Sequence, residues 1–271
     1  MGPRARLVLA LGPLAAFAWQ VAGTPGSVVV GVAVATVCHL VVVAWIAHAA
    51  HVRLPAWAVV FAVAWGAGVA APAAAATNEL LQARVAGWPL GGAPLVEEAV
   101  KAAVVLSVLG FTDIRGVRAG IVIGALVGLG FAVTENLGYF LLARVQDGPA
   151  GLVRAIAIRG VVEGAVHPIL TASTGAGLGI AMAGRGVLPG VLGFVAAVAQ
   201  HAVWNGVASP AASGILCNGV DVSGACRGDP DMYHLLVAVP AVVALALAPG
   251  VMGLILVARR TGSVASARPS T

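Results

Sequence analysis

Apolar residues dominate eight stretches of the chain, at about Leu7 to Val21, Val28 to Ala50, Ala56 to Ala76, Pro94 to Leu109, Ala119 to Leu142, Ala155 to Ala183, Val187 to Ser209 and Tyr233 to Val257. Runs of this length predict helices that cross a bilayer, because a helix satisfies its own backbone where no water is present. Gly23 to Gly26, Arg53 to Pro55, Gly91 to Pro94, Asp147-Gly148-Pro149 and the segment from Pro210 to Pro230 punctuate them. Pro94 is expected in the first turn of the fourth helix, where its missing N–H costs nothing. Gly120, Gly124 and Gly128 recur every fourth residue, and Gly160 precedes Gly164 by the same step, which predicts close helix contacts. The expected fold is all-α: a polytopic transmembrane bundle forming one domain over residues 1–271, with 261–271 as a short disordered tail. The first stretch follows Arg4 and Arg6 but lacks a clear small-x-small cleavage site, so it reads as a retained helix rather than a signal peptide.

Composition agrees, with 60% hydrophobic residues, 9% charged residues and a mean hydropathy of +1.01. These values exclude an ordinary soluble domain. The net charge of +5 comes from arginines and the lone Lys101. No arginine stripe is interleaved with aromatic residues, so nothing suggests a nucleic-acid surface. The basic residues report topology instead. With both termini cytoplasmic, nine arginines (4, 6, 53, 115, 118, 185, 259, 260 and 268) lie inside, against Arg84, Arg144, Arg154 and Arg227 outside. The same orientation puts Cys217 and Cys226 in one extracytoplasmic loop, where a disulfide between them is possible; Cys38 lies inside a span.

Against this apolar background four motifs stand out: Glu97-Glu98-x-x-Lys101, Phe131-x-x-x-Glu135-Asn136, His167-Pro-Ile-Leu-Thr171 and His201-x-x-x-Asn205. Ionisable groups at membrane depth are costly and mark functional sites. By the rise of a helix, Glu97 and Glu98 are expected roughly 5 to 10 Å below the outer surface, Glu135 at roughly 10 Å and His167 at roughly 18 Å. Four helices thus bring polar groups to the outer half of one bundle. Structural readings compete with this one. Lys101 is one turn from both glutamates and suits an internal ion pair, although adjacent residues point about 100° apart, so one lysine is not expected to satisfy both ideally. Glu135 and Asn136 suit inter-helix hydrogen bonding, and Arg159 with Glu163 reads as an ion pair that orients His167. Thr171 back-bonds or meets a ligand. Trp204 reads as an interfacial anchor, Pro168 as a kink, and His39, His48 and His51 as outside the site.

Two histidines, two or three carboxylates and an amide suit hydrolysis. A carboxylate takes a proton from water, and imidazole or amide groups stabilise the oxyanion. A metal version has Glu98, Glu135, His167 and His201 as candidate ligands of a divalent ion such as zinc. Neither a His-Glu-x-x-His motif nor a Gly-x-Ser-x-Gly turn is present.

At these motifs, over about residues 94–209, the chain resembles the PrsW family of bacterial intramembrane proteases, related to the CAAX prenyl endopeptidase and bacteriocin-processing superfamily. The resemblance implies cleavage of a single-pass membrane protein, an anti-sigma factor in the known family example, near the outer surface of the bacterial cytoplasmic membrane. It makes Glu97 and Glu98 the essential carboxylates, with His167 and His201 completing the centre. The mechanism is either glutamate-activated water or metal-dependent. CAAX endopeptidases have histidine where this chain has Glu135, which argues against CAAX substrates. In the expected mechanism Glu97, or Glu98 in a rotated helix, is the base. His201 and Asn205 polarise the scissile carbonyl, and His167 orients water or protonates the leaving group. Lys101, Glu135 and Asn136 support them. The competing classes are a proton-coupled transporter or channel with a Glu/His relay, and a noncatalytic substrate-binding membrane protein.

Overall fold

A computed structural model describes residues 3–85, 88–111, 114–208 and Gly253. The predicted eighth span, the Cys217–Cys226 pair and the tail 261–271 lie outside the described residues. Within them the chain is helical and contains no strand: α1 (Pro3–Val21), α2 (Gly26–Ala50), α3 (Ala56–Trp65), α4 (Ala71–Gln82), α5 (Trp88–Phe111), α6 (Val117–Ala155), α7 (Val166–Met182) and α8 (Leu188–Val203). Wider π-helical turns at Gly66–Ala70, Ile156–Val162 and Trp204–Ala208 continue α3 into α4, extend α6 and extend α8. Among the described residues four helical segments are long and apolar enough to cross a membrane: Gly26–Ala50, Ala56–Gln82, Val117–Gly160 and Leu188–Ala208. The chain is an integral membrane protein.

Helix α6 is the axis of the bundle. In its apolar window 89% of residues are buried, against 28% for α2, whose valines 30, 37 and 41 face outward as a lipid-exposed surface requires. The main core joins Phe61, Val105, Val108 and Leu109 to Ile123, Val127 and Leu170, and a smaller cluster ties Val28, Val32 and Ala35 to Leu137 and Phe140.

The glycine ladder on α6 meets α7 in the broadest helix contact among the described elements. A Cβ on Gly120, Gly124 or Gly128 would lie 2.0, 2.2 or 2.4 Å from the carbonyl oxygens of Gly175, Thr171 and His167 respectively. The two backbones therefore touch, which only small residues permit and which strengthens dispersion contacts in lipid. The Gly160 and Gly164 pair works differently. Gly160 admits Ala35 of α2, while Gly164 lies in the non-helical turn that precedes α7.

Several boundaries depart from the hydropathy pattern. The third stretch continues to Gln82 instead of ending at Ala76, because Thr77 to Gln82 keep helical backbone despite their polarity. Pro94 is not in the first turn. Helix α5 begins at Trp88, so Pro89 takes the N-terminal role expected of Pro94, which sits inside the helix. The predicted sixth helix is broken at residues 163–165, and Pro168 is not the breaker. It occupies the first turn of α7, where an N–H has no intrahelical partner to lose. The punctuation at Asp147-Gly148-Pro149 is real: Gly148 has φ 67° and ψ −153°, a conformation that favours glycine, and divides α6 in two.

Gly124→Ala should lower the melting temperature in detergent, with a stability loss of about 1–3 kcal/mol, typical of overpacking against a fixed backbone. Gly138→Ala, whose added Cβ meets nothing within 4 Å, should leave it unchanged. Equal melting temperatures for the two variants would contradict the close α6–α7 contact.

Candidate active site

The polar motifs converge. Glu97, Glu98 and Lys101 come from α5, Glu135 and Asn136 from α6, Arg159 from the π-turn after α6, His167 from α7, and His201 and Asn205 from α8 and its π-turn.

Lys101 is the hub on the α5 side. Its side chain has no exposed surface, and its Nζ donates to Glu98 Oε1 at 2.9 Å and Glu97 Oε2 at 3.4 Å while lying 3.0 Å from His167 Nδ1. The ammonium also sits 3.8 Å from the centre of the Phe131 ring, whose π face favours a cation. One lysine does not serve two adjacent glutamates equally, as the step of about 100° between them predicts: the flexible stem reaches both, but Glu97 only at the longer distance.

The two glutamates are used differently. Glu98 is wholly buried, and its Oε1 is shared by Lys101 and His201 Nδ1, the latter at 3.0 Å. Its Oε2 is buried with no hydrogen-bond partner. Glu97 instead lines a cavity of about 440 Å³. Because Nδ1 of His201 points at a carboxylate, its proton belongs there, and Nε2 is left with a lone pair 3.8 Å from Glu97 Oε2.

His167 is held at both ring nitrogens. An ammonium has only protons to give, so Nδ1 accepts from Lys101 and Nε2–H donates to Glu135 Oε2 at 2.7 Å. The carboxylate hydrogen-bonded to His167 is thus Glu135, whereas sequence assigned the orienting role to the Arg159–Glu163 pair. That pair does form, at 3.1 Å. Arg159 also reaches Glu135 at 2.6 Å and Asn136 Oδ1 at 3.2 Å, with the Tyr139 ring 3.6 Å from its Cζ. The His167 and His201 rings meet edge to face with centroids 5.3 Å apart.

Asn78, Gln82, Ala93, Glu135, Tyr139, Arg159, Glu163, His167, His201, Trp204 and Asn205 line the same 440 Å³ cavity as Glu97. Sequence reasoning did not find Asn78 and Gln82, because hydropathy ended the third span too early; the polar run beginning at Thr77-Asn78 was the available signal. Trp204, read as an interfacial anchor, is buried and forms part of the cavity wall. Thr171 Oγ1 is buried without a partner, one turn from His167, and does not line the cavity. His39 is buried on α2 with Nδ1 against the Ala35 carbonyl and is not among the residues that line the cavity.

Glu97, His167 and His201 each offer one possible metal-ligand atom, and the three atoms lie within 4.8 Å of one another. This set differs from the sequence-derived candidates by replacing Glu98 and Glu135 with Glu97. Those two carboxylates stand behind the histidines instead, one on His201 and one on His167, as outer partners of metal-binding imidazoles commonly do. Charge also suits a divalent ion. Among the described residues, Glu97, Glu98, Glu135 and Glu163 pair with the cations Lys101 and Arg159, a formal excess of two negative charges over this set with both imidazoles neutral. The donor set fits such an ion, with the condition that His167 yields one of its two present hydrogen bonds.

No curated protein and no solved structure matches the chain. Residues 54–245, most of its length and all of the motif-bearing segments, match the family described as PrsW family intramembrane metalloprotease. The chain therefore belongs to the PrsW family of intramembrane proteases.

Proposed function

We propose that the chain hydrolyses a peptide bond in a single-pass membrane protein, of the anti-sigma factor kind, near the extracytoplasmic face of the bacterial cytoplasmic membrane. Family membership supports proteolysis, and, for a chain of eight spans, the nine-to-four arginine bias supports cytoplasmic termini and an outward-placed site. The observation that carries the reading is the unequal use of two adjacent glutamates. Glu98 is locked in the protein, while Glu97 faces a polar cavity beside two imidazoles.

In this reading water occupies the cavity against Glu97, which takes its proton as the oxygen attacks the carbonyl carbon. The carbonyl oxygen gains negative charge and is met by the Asn205 amide; His201, whose Nε2 carries a lone pair in this tautomer, accepts from the water instead of polarising the carbonyl as sequence suggested. The C–N bond then breaks, and Glu97 returns the proton to the departing amine. Glu98 fixes the ring angle of His201, and Lys101 keeps Glu98 and Glu97 in place. Glu135, with Arg159 and Asn136 behind it, fixes His167. A divalent ion such as zinc, held by Glu97, His167 and His201, would supply Lewis acidity to the water or the carbonyl.

Three outcomes are expected. Glu97→Gln should abolish cleavage of a reconstituted single-pass substrate while retaining near-normal thermal stability, whereas Glu98→Gln should lower both. Unimpaired cleavage by Glu97→Gln would refute the assignment. Lys101→Met should destabilise the fold by about 3–5 kcal/mol, because it strips a buried carboxylate of its counter-charge, and thermal unfolding in detergent measures this. Elemental analysis of purified protein should find a divalent metal that is lost, together with activity, in His201→Ala. Full activity in metal-free protein would leave the glutamate to act alone.

A further inference from the structure

A second cavity, of about 550 Å³, adjoins the first, and the two share Asn78, Glu97, Glu135 and Tyr139 in their walls. The volume lies in the ~300–1,000 Å³ range of ligand sites. Its remaining wall is mainly apolar, built from Ala71, Ala74 and Ala75 of α4 facing Gly138, Leu141 and Leu142 of α6. We propose that this chamber is a specificity subsite that receives an apolar side chain of the membrane-spanning substrate next to the cleaved bond. The inference rests on the protease reading above and extends it to substrate choice.

The division of polarity carries the argument. A peptide whose scissile carbonyl reaches Glu97 must place its flanking side chains to either side. The side lined by Arg159, Glu163, His167 and His201 would lose hydration and ion pairing to an apolar group. The other side offers small alanines and a glycine without a side chain. An unwound stretch of substrate also carries backbone N–H and C=O groups that need partners at membrane depth. Asn78, which lines both cavities, stands where such a backbone would cross between them. A lipid acyl chain fits the apolar wall but not the inner end, where its methyl terminus would meet the Glu97 and Glu135 carboxylates.

Gly138 provides the test. A Cβ placed there meets nothing within 4 Å, so Gly138→Leu starts its side chain in open space at the chamber wall. Ala75→Leu, at an exposed position on the facing helix, fills it from the other wall. The probe is a synthetic single-pass Leu/Ala peptide with an unwound Gly/Ser stretch at its outer end and a photoreactive leucine beside it. It is incorporated into nanodiscs with the Glu97→Gln protein and crosslinked, and the adducts are mapped by mass spectrometry. Adducts are expected on α4 and α6 around Ala74, Gly138 and Leu142, falling several-fold in both leucine variants with unchanged melting temperatures. In proteoliposomes the same variants with Glu97 intact should shift cleavage toward substrates with alanine rather than leucine at that position.

Adducts on the outer face of α2, yields insensitive to both variants, or chamber labelling by a photoreactive lipid that the peptide does not displace would each overturn the proposal. Chamber adducts that respond to the variants, with no cleavage of any substrate by the intact protein, would refute the protease reading and leave the chamber as a peptide-binding site. Normal cleavage with unaltered side-chain preference in both variants would refute the chamber and leave the protease reading in place.

Discussion

A lysine ammonium without solvent access anchors the interior of this protein. Removing a charge from water is costly enough that the surrounding structure must supply its counter-charges and hydrogen bonds. Here Glu98, Glu97 and His167 supply them, from α5 itself and from α7, with the Phe131 face of α6 above. Three helices are thereby bound to one nitrogen atom. Because Glu98 is also bonded to His201, α8 joins through the same network. Buried ion pairs are weak contributors to net stability but strong determinants of geometry, since an alternative arrangement strands a charge. The polar centre thus selects one packing of otherwise interchangeable apolar helices.

Glycine contacts make that network reachable. Gly128 lies against the carbonyl of His167 itself, so the backbone contact of α6 and α7 extends to the residue whose ring Lys101 and Glu135 share. Residues two turns farther along α6, Glu135 and Asn136, then fall within hydrogen-bonding distance of His167 and Arg159. A wider helix separation would leave long side chains spanning a gap at considerable entropic expense.

Much of this was legible in the chain, for specific reasons. The motif residues stood out because charge is rare in apolar stretches, and the four-residue glycine step is written directly in the sequence. The Asp147-Gly148-Pro149 break was readable from the backbone preferences of glycine and proline. What escaped were features set by tertiary context. Thr77 to Gln82 remain helical because α4 packs beside α5, a contact that hydropathy does not register. Trp204 is an ordinary interfacial residue by type and is buried here by its neighbours. The split in duty between Glu97 and Glu98 depends on helix rotation, which adjacent identical residues do not encode. Neither did periodicity disclose that Glu135, 32 residues away on another helix, would be hydrogen-bonded to His167.

Three wide turns interrupt the helices around the centre, and each has a role. In the first, the Ala67 carbonyl accepts a hydrogen bond from Thr134 Oγ1 of α6 at 2.9 Å; the second presents Arg159, and the third presents Trp204 and Asn205. A π-turn holds one residue more than an α-turn over the same hydrogen-bonded span, so everything beyond it is rotated by about 100° relative to an uninterrupted helix. Helical-wheel reasoning carried through these points assigns residues to the wrong faces. Ancestral gain or loss of one codon at such a place would redirect an entire helix end, turning a lipid-facing strip inward without changing the composition of the helix.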